Sequence, residues 1–227
     1  MINILSVFLS LLSRSVLFVM GWKSPTNEQF KQIAKHDRTI LVFSHTSYVD
    51  FYIMILYLLA FPQQLKYLRT IVKPQPFEYI GGLLRRLGAI PATKVDDKNG
   101  GSVNRIVEEL KQVEKSRLLI SPKGTIVKRE WRSGYYYIAK ELDGYLMAVG
   151  LDYERKAVFV SKEISHSEGE LIVKEFLMKQ LGEVVPLFPE EEVVSIRPHV
   201  ESERGVMSFR RMLAVGLVVV LGVIKLY

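Results

Sequence analysis

The sequence predicts one α/β domain with a largely parallel central sheet flanked by helices, plus apolar N- and C-terminal helices that associate with a membrane. Three observations point there. Short apolar runs alternate with longer helical patterns between Thr39 and Leu181, the order in which βα units build a parallel sheet. No internal repeat and no Pro/Gly-rich linker interrupts that alternation. The charge-poor stretches gather at the two ends of the 227-residue chain, whose length suits one sizeable core. The division that follows is residues 1–22 as a membrane-associating helical segment, 23–204 as the folded domain, and 205–227 as an apolar segment able to touch the membrane.

From Met1 to Trp22 the single charge is Arg14. No basic residues precede the apolar run and no small-residue cleavage site follows it, so the segment reads as a retained helix rather than a removable leader. It is expected to lie in a membrane face with Arg14 snorkelling to the headgroups. Thr39–Phe43 is a continuous apolar run of strand length, and Tyr48–Ala60 is apolar on nearly every side, as a buried or lipid-facing helix would be. Leu65–Val72 reads as a strand closed by Lys73-Pro74. Phe77–Leu87 is an amphipathic helix despite Gly81-Gly82, and Ala89-Ile90-Pro91 is a short edge strand. Val103, Ile106, Val107, Leu110 and Val113 recur at helical spacing, which predicts a helix over Val103–Lys115 capped by Ser102. Arg117–Ser121 is a strand, Ser133–Glu141 a helix, Tyr145–Asp152 and Ala157–Ser161 strands, and Glu168–Leu181 a final helix. Met212–Ile224 carries no charge and is short for a span, which needs about 20 apolar residues.

The chain has no cysteine, which excludes a disulfide framework, a thiolate nucleophile and a cysteine-based zinc site. Its net charge of +7 is uneven. Residues 66–132 hold 15 Lys and Arg against 7 Asp and Glu, whereas residues 133–204 hold 8 against 14. The basic stretch is a candidate anion-binding region, and the protein should be drawn to anionic lipid. Nucleic acid would use the same charge, but the apolar ends favour lipid over nucleic acid.

Three short stretches carry chemistry. In the first, His45-Thr46-Ser47-Tyr48-Val49-Asp50 directly follows the first strand, the position at which α/β proteins place their sites. A carboxylate that accepts from one imidazole nitrogen fixes the tautomer and leaves the other nitrogen free as a base. Five residues on an ideal helix are about 140° apart, so the pair meets only if His45 lies in the loop and Asp50 in the first helical turn. The spacing equally suits a cap, with Ser47 at the N-cap and Asp50 three residues on, and Asp50 could serve that end alone. In the second stretch, Leu87-Gly88-Ala89-Ile90-Pro91-Ala92-Thr93-Lys94, the glycine and proline force a tight path from which Lys94 emerges, either toward an anion or into solvent. In the third, Ser121-Pro122-Lys123-Gly124-Thr125 turns out of a strand into a loop crowded by Lys123, Lys128, Arg129 and Arg132. Glycine allows positive φ there, the threonine hydroxyl can donate to a phosphate oxygen, and the clustered cations would clamp one.

In this order and spacing the stretches resemble the glycerophospholipid acyltransferases, specifically the 1-acylglycerol-3-phosphate (lysophosphatidate) type. His45 through Asp50 resembles the family's His-x4-Asp block, Gly88 through Lys94 its second block, and Ser121-Pro122-Lys123-Gly124-Thr125 its Pro-Glu-Gly-Thr-Arg block. Trp131 through Ala139 and Val149-Gly150-Leu151-Asp152-Tyr153 extend the likeness over roughly residues 38–190. Two departures stand out. Lys123 replaces a glutamate and Ile126 an arginine in the third block, while Thr93-Lys94 replaces Asp-Arg in the second. A lysine offers a point charge where arginine offers a fork.

The resemblance implies that residues 23–204 form an acyltransferase domain. It would move a fatty acyl group from acyl-CoA or acyl-carrier protein to a lysophospholipid hydroxyl, with no cofactor and no metal, at the cytoplasmic face of a membrane. His45 and Asp50 would be catalytic; Lys94, Lys123, Gly124, Thr125 and Arg129 would hold the acceptor's phosphate. The altered third block motivates an alternative, a lipid-binding membrane protein on the same scaffold that has lost catalysis. A serine hydrolase using Ser44 or Ser47 lacks the Gly-x-Ser-x-Gly elbow. A metal hydrolase lacks ligands beyond His45 and Asp50, since His36, His166 and His199 sit in unrelated polar contexts.

Overall fold

The computed structural model describes residues 4–44, 47–72, 74, 77–92, 101–124 and 130–187. Among the described residues six strands form one sheet: β1 (Arg38–Phe43), β2 (Leu68–Val72), β3 (Ala89–Pro91), β4 (Ser116–Ile120), β5 (Tyr145–Asp152) and β6 (Ala157–Ser165). Their spatial order is β3-β2-β4-β1-β5-β6. Every pairing is parallel except the β5–β6 hairpin. The parallel α/β expectation therefore holds, with one antiparallel edge strand added.

The helices are α1 (Ile4–Val19), α2 (Asn27–Ile33), α3 (Tyr48–Ala60), α4 (Phe77–Arg86), α5 (Gly101–Lys111), α6 (Gly134–Glu141) and α7 (Glu170–Gly182), with a 3-10 turn at His166–Glu168. The strands alternate their side chains between two apolar clusters, as the pleat requires. Ile40 and Val42 of β1 join Leu118, Leu146 and Ala148, packed against Ile106, Val107 and Leu110 of α5, Tyr135 and Ile138 of α6, and Val173 and Leu177 of α7. Leu41 and Phe43 face the other way with Leu119, Met147 and Val149, against Ile53 and Tyr57 of α3 and Leu17 and Trp22 from α1 and its end. The result is a sheet buried on both faces, with β1 at its centre.

Local differences from the sequence reading have physical reasons. Residues 62–67 form turns, so β2 begins at Leu68 rather than Leu65. Ser102 lies inside α5, which begins at Gly101, and so is not the N-cap. The last helix begins at Glu170 because Gly169, at φ +94°, ends the 3-10 turn before it. Arg14 does not simply reach outward. Its Nε donates to the carbonyl of Ala60 at 2.9 Å, alongside Ser10 Oγ at 2.8 Å, and its guanidinium sits 4.7 Å from the Phe61 ring centroid. A cation at the open carbonyl end of an apolar helix is favoured by the helix dipole, and α1 is thereby fixed to the domain. Among the described residues no helix is long and apolar enough to cross a membrane. The segment 205–227 lies outside the described residues.

Gly88 stands where α4 turns into β3, at φ +82°, and its carbonyl accepts from Thr70 N–H at 3.2 Å. A Cβ there would lie 2.3 Å from the Leu68 carbonyl oxygen, so the backbone would have to move. Gly88→Ala should therefore lower the unfolding free energy by about 2–4 kcal/mol, read from the denaturant midpoint.

Candidate active site

Parallel strands place their carboxyl ends at one edge of the sheet. Val42 pairs with Ile120 and Phe43 with Val149, so the chain leaves β1 between the ends of β4 and β5. The stretches singled out in the sequence follow β1, β3 and β4, and all three exits lie along this edge. Those after β1 and β4 are immediate neighbours. β3 is three strand spacings from β1, about 14 Å.

Asp50 lies in the first turn of α3 and is 1% exposed. The capping arrangement is present in full. Ser47, in an extended conformation, accepts the Val49 N–H on its Oγ at 2.9 Å, and Asp50 Oδ2 accepts the Ser47 N–H at 2.9 Å. The cap does not exhaust the carboxylate. Tyr153, just past β5, donates its hydroxyl to Asp50 Oδ1 at 2.6 Å. A buried carboxylate needs such donors, and short O–H···O⁻ bonds are the strong ones. Burial, and then the neighbouring carboxylate, push the Tyr153 phenol well above its ordinary range, so it remains a donor. Trp22 packs edge-on against the Tyr153 ring at 5.1 Å, and the Tyr153 N–H donates to Val185 O at 2.9 Å.

A cavity of about 210 Å³ opens beside Asp50, lined also by Ser44, Leu151, Leu181, Gly182, Val184 and Pro186. One wall carries the carboxylate and the other is largely apolar, contributed by the end of α7 and the segment after it. Neither this wall nor Tyr153 was singled out as part of the site in the sequence. Tyr153 lies 103 residues from Asp50, and no local spacing announces such a pair.

After β4, Gly124 has φ +65° and donates its N–H to Ser121 O at 3.0 Å, closing a turn. The Arg132 N–H returns to Pro122 O at 3.0 Å, which ties the two ends of the loop together. A Cβ on Gly124 would meet nothing within 4 Å, so positive φ is what calls for glycine there. Lys123 is half-buried in this turn. Asp50, Lys123 and Gly124 thus stand on adjacent exits of one sheet edge. His45, Lys94, Thr125 and Arg129 lie outside the described residues. Among the described residues no group of three or more His, Asp or Glu could hold a metal ion.

A parallel α/β sheet with a buried, doubly held carboxylate where its central strand ends belongs to the class whose sites lie outside the strands' carboxyl ends. A family model described as Acyltransferase matches residues 25–152, more than half of the chain, and the chain belongs to this family, the glycerophospholipid acyltransferases. The match takes in β1 through β5 and ends one residue before Tyr153. The search of curated proteins returns no match.

Replacing Ser47 by alanine removes the acceptor for Val49 N–H while leaving Asp50 and Tyr153 in place. Ser47→Ala should cost about 1 kcal/mol of stability in thermal or denaturant unfolding.

Proposed function

We propose that this acyltransferase moves a fatty acyl group from an acyl thioester, acyl-CoA or acyl-carrier protein, to the free hydroxyl of a lysophospholipid, with 1-acylglycerol-3-phosphate as acceptor and phosphatidate as product. The observation that carries the reading is Asp50, buried and held at the head of α3, five positions after a histidine in a chain of this family. His45 takes the acceptor's hydroxyl proton as its oxygen attacks the thioester carbonyl. The tetrahedral intermediate collapses by breaking the carbon–sulfur bond, and the imidazolium returns the proton to the departing thiolate. Asp50 orients the imidazole and stabilises its charged form. Lys94, Lys123, Gly124, Thr125 and Arg129 hold the acceptor's phosphate, Lys94 serving as a point charge where the family's second block has arginine.

Lipid substrates call for a site beside a membrane, and α1 supports one. Ile4, Phe8, Leu11 and Phe18 recur along one stripe of the helix and stay exposed, Phe8 and Leu11 at 60% and Phe18 at 81%, while Ser13, Val16 and Leu17 face the domain. A helix fixed to the domain on one side and apolar on the other suits interfacial binding, with basic residues drawing it to anionic headgroups. Phe8→Glu/Leu11→Glu should reduce sedimentation with vesicles containing anionic lipid at least about tenfold, with the far-UV circular dichroism unchanged.

The reading is tested by offering purified full-length protein labelled oleoyl-CoA, or acyl-carrier protein as donor, with lysophosphatidate, other lysophospholipids and glycerol 3-phosphate. Transfer to lysophosphatidate that falls by about a thousandfold or more in folded His45→Ala is the expected result. Transfer to a different acceptor would overturn the lysophosphatidate assignment and place Lys123 and Ile126 in specificity. Lipid binding without transfer from either donor would favour the lapsed, lipid-binding alternative that the Lys123 charge reversal motivates.

A further inference from the structure

We propose that Tyr153 is a positioning residue of this site, its hydroxyl fixing the plane of the Asp50 carboxylate so that the carboxylate can orient the His45 imidazole. The inference rests on the reading above that His45 and Asp50 act together.

Asp50 Oδ2 is held from within its own turn by the Ser47 N–H at 2.9 Å. A donor on that oxygen does not by itself fix the plane of the carboxylate. From the far side of the turn the Tyr153 O–H donates to the other oxygen, Oδ1, at 2.6 Å, so that both carboxylate oxygens are engaged. The hydroxyl is itself held. Its ring lies edge-on to Trp22 at 5.1 Å, Trp22 lies edge-on to Tyr57 at 6.2 Å, and Tyr57 Oη donates to Lys23 O at 2.8 Å. The Tyr153 backbone is anchored separately, through its N–H to Val185 O. Two of the charged groups on the same turn have other neighbours: Arg155 donates to Asp152 at 2.6 Å, and Lys156 lies 5.8 Å from the Trp22 ring centroid. Phenylalanine at this position would keep the packing against Trp22 and lose only the donor, so the hydroxyl can be tested apart from the ring.

The donor also sets a sign. A hydrogen bond to a carboxylate takes up part of its negative potential, so less remains to stabilise an imidazolium beside it. Removing the hydroxyl leaves Asp50 a stronger partner for the charged imidazole, and the His45 pKa must rise. Below that raised pKa the imidazole is protonated and cannot act as base, so the acid limb of the rate profile moves to higher pH.

The test uses Tyr153→Phe in the full-length protein, with Asp50→Asn and the double variant beside it. Expected are an unchanged circular dichroism spectrum, kcat lower by about tenfold with KM for the acceptor unchanged, and an acid limb of kcat/KM raised by about half a pH unit. An arm independent of activity follows the His45 imidazole by nitrogen-15 NMR, its signal identified by its loss in His45→Ala. Its titration should rise in Tyr153→Phe and show no further change when Tyr153→Phe is added to Asp50→Asn. A His45 titration that stays put in folded Tyr153→Phe, or that moves equally in the Asp50→Asn background, overturns the proposal whether or not any acceptor is acylated. If the titration behaves as expected while His45→Ala remains fully active, the linkage through Asp50 stands and the acyl-transfer reading falls instead.

Discussion

A carboxylate withdrawn from water must be given fixed donors, and the requirement at Asp50 governs how three separate parts of this chain meet. One donor is the backbone of Ser47, which exists in the right place only because β1 stops at Phe43 and α3 begins at Tyr48. Another is a side chain from the end of β5, available because β5 lies beside β1 and runs past their last pair, Phe43 with Val149, as far as Asp152. Trp22, arriving from α1, seats the tyrosine that makes the second bond. Leaving a buried carboxylate without such partners would cost several kcal/mol, enough to matter in a fold of ordinary stability. The geometry of the site and the docking of α1 are in this sense parts of one arrangement.

The same rule, that backbone polar groups withdrawn from water must find partners, explains where the polar residues around the sheet are spent. Arg14 and Ser10 take the carbonyl of Ala60 at the end of α3, and Arg38 donates to Leu110 O near the end of α5. Gln29 and Gln32 of α2 donate to Val158 O and Ser161 O of β6, at 2.8 and 2.7 Å. An edge strand with open carbonyls is a template for unwanted pairing, and a short helix laid across it removes the hazard. The apolar stripe of α1 stands out against this economy, since its large side chains remain exposed although the rest of the helix is firmly docked.

What was legible in the sequence is what depends on neighbours along the chain. Continuous apolar runs gave β1, β4 and β5, because strands buried on both faces have no polar positions to alternate with. The cap at Ser47 and Asp50 was legible because its partners are three residues apart. So was the left-handed glycine after Lys123. The short helix α2 carried the same kind of signal, Thr26-Asn27-Glu28-Gln29, and forms the same reciprocal cap; its polar, mostly exposed residues hid it, for their glutamines are used across space on β6. The bond from Arg14 to Ala60 O was hidden for a related reason: a lone arginine in an apolar helix suits headgroups and helix ends alike, and its partner is visible only once α3 is placed. Tyr153 stands in a stretch that resembles the family, but nothing local announces its bond to Asp50, which lies 103 residues away in the first turn of α3.

The donors from Ser47 and Tyr153 also bear on what the Asp50 carboxylate contributes under the proposed mechanism. An unengaged carboxylate would raise the basicity of a neighbouring imidazole strongly, and a histidine held protonated near neutral pH cannot remove a proton from an alcohol. A carboxylate already accepting from Ser47 and Tyr153 has less potential to offer and less freedom to turn. Under that mechanism its effect is weighted toward orienting the imidazole. If the donor is a thioester, as proposed, its thiolate leaves readily, and the reaction would ask more for an imidazole correctly aimed at the hydroxyl than for an exceptionally strong base. The tyrosine at the end of β5 supplies that emphasis, at the cost of tying the site's chemistry to the packing of Trp22.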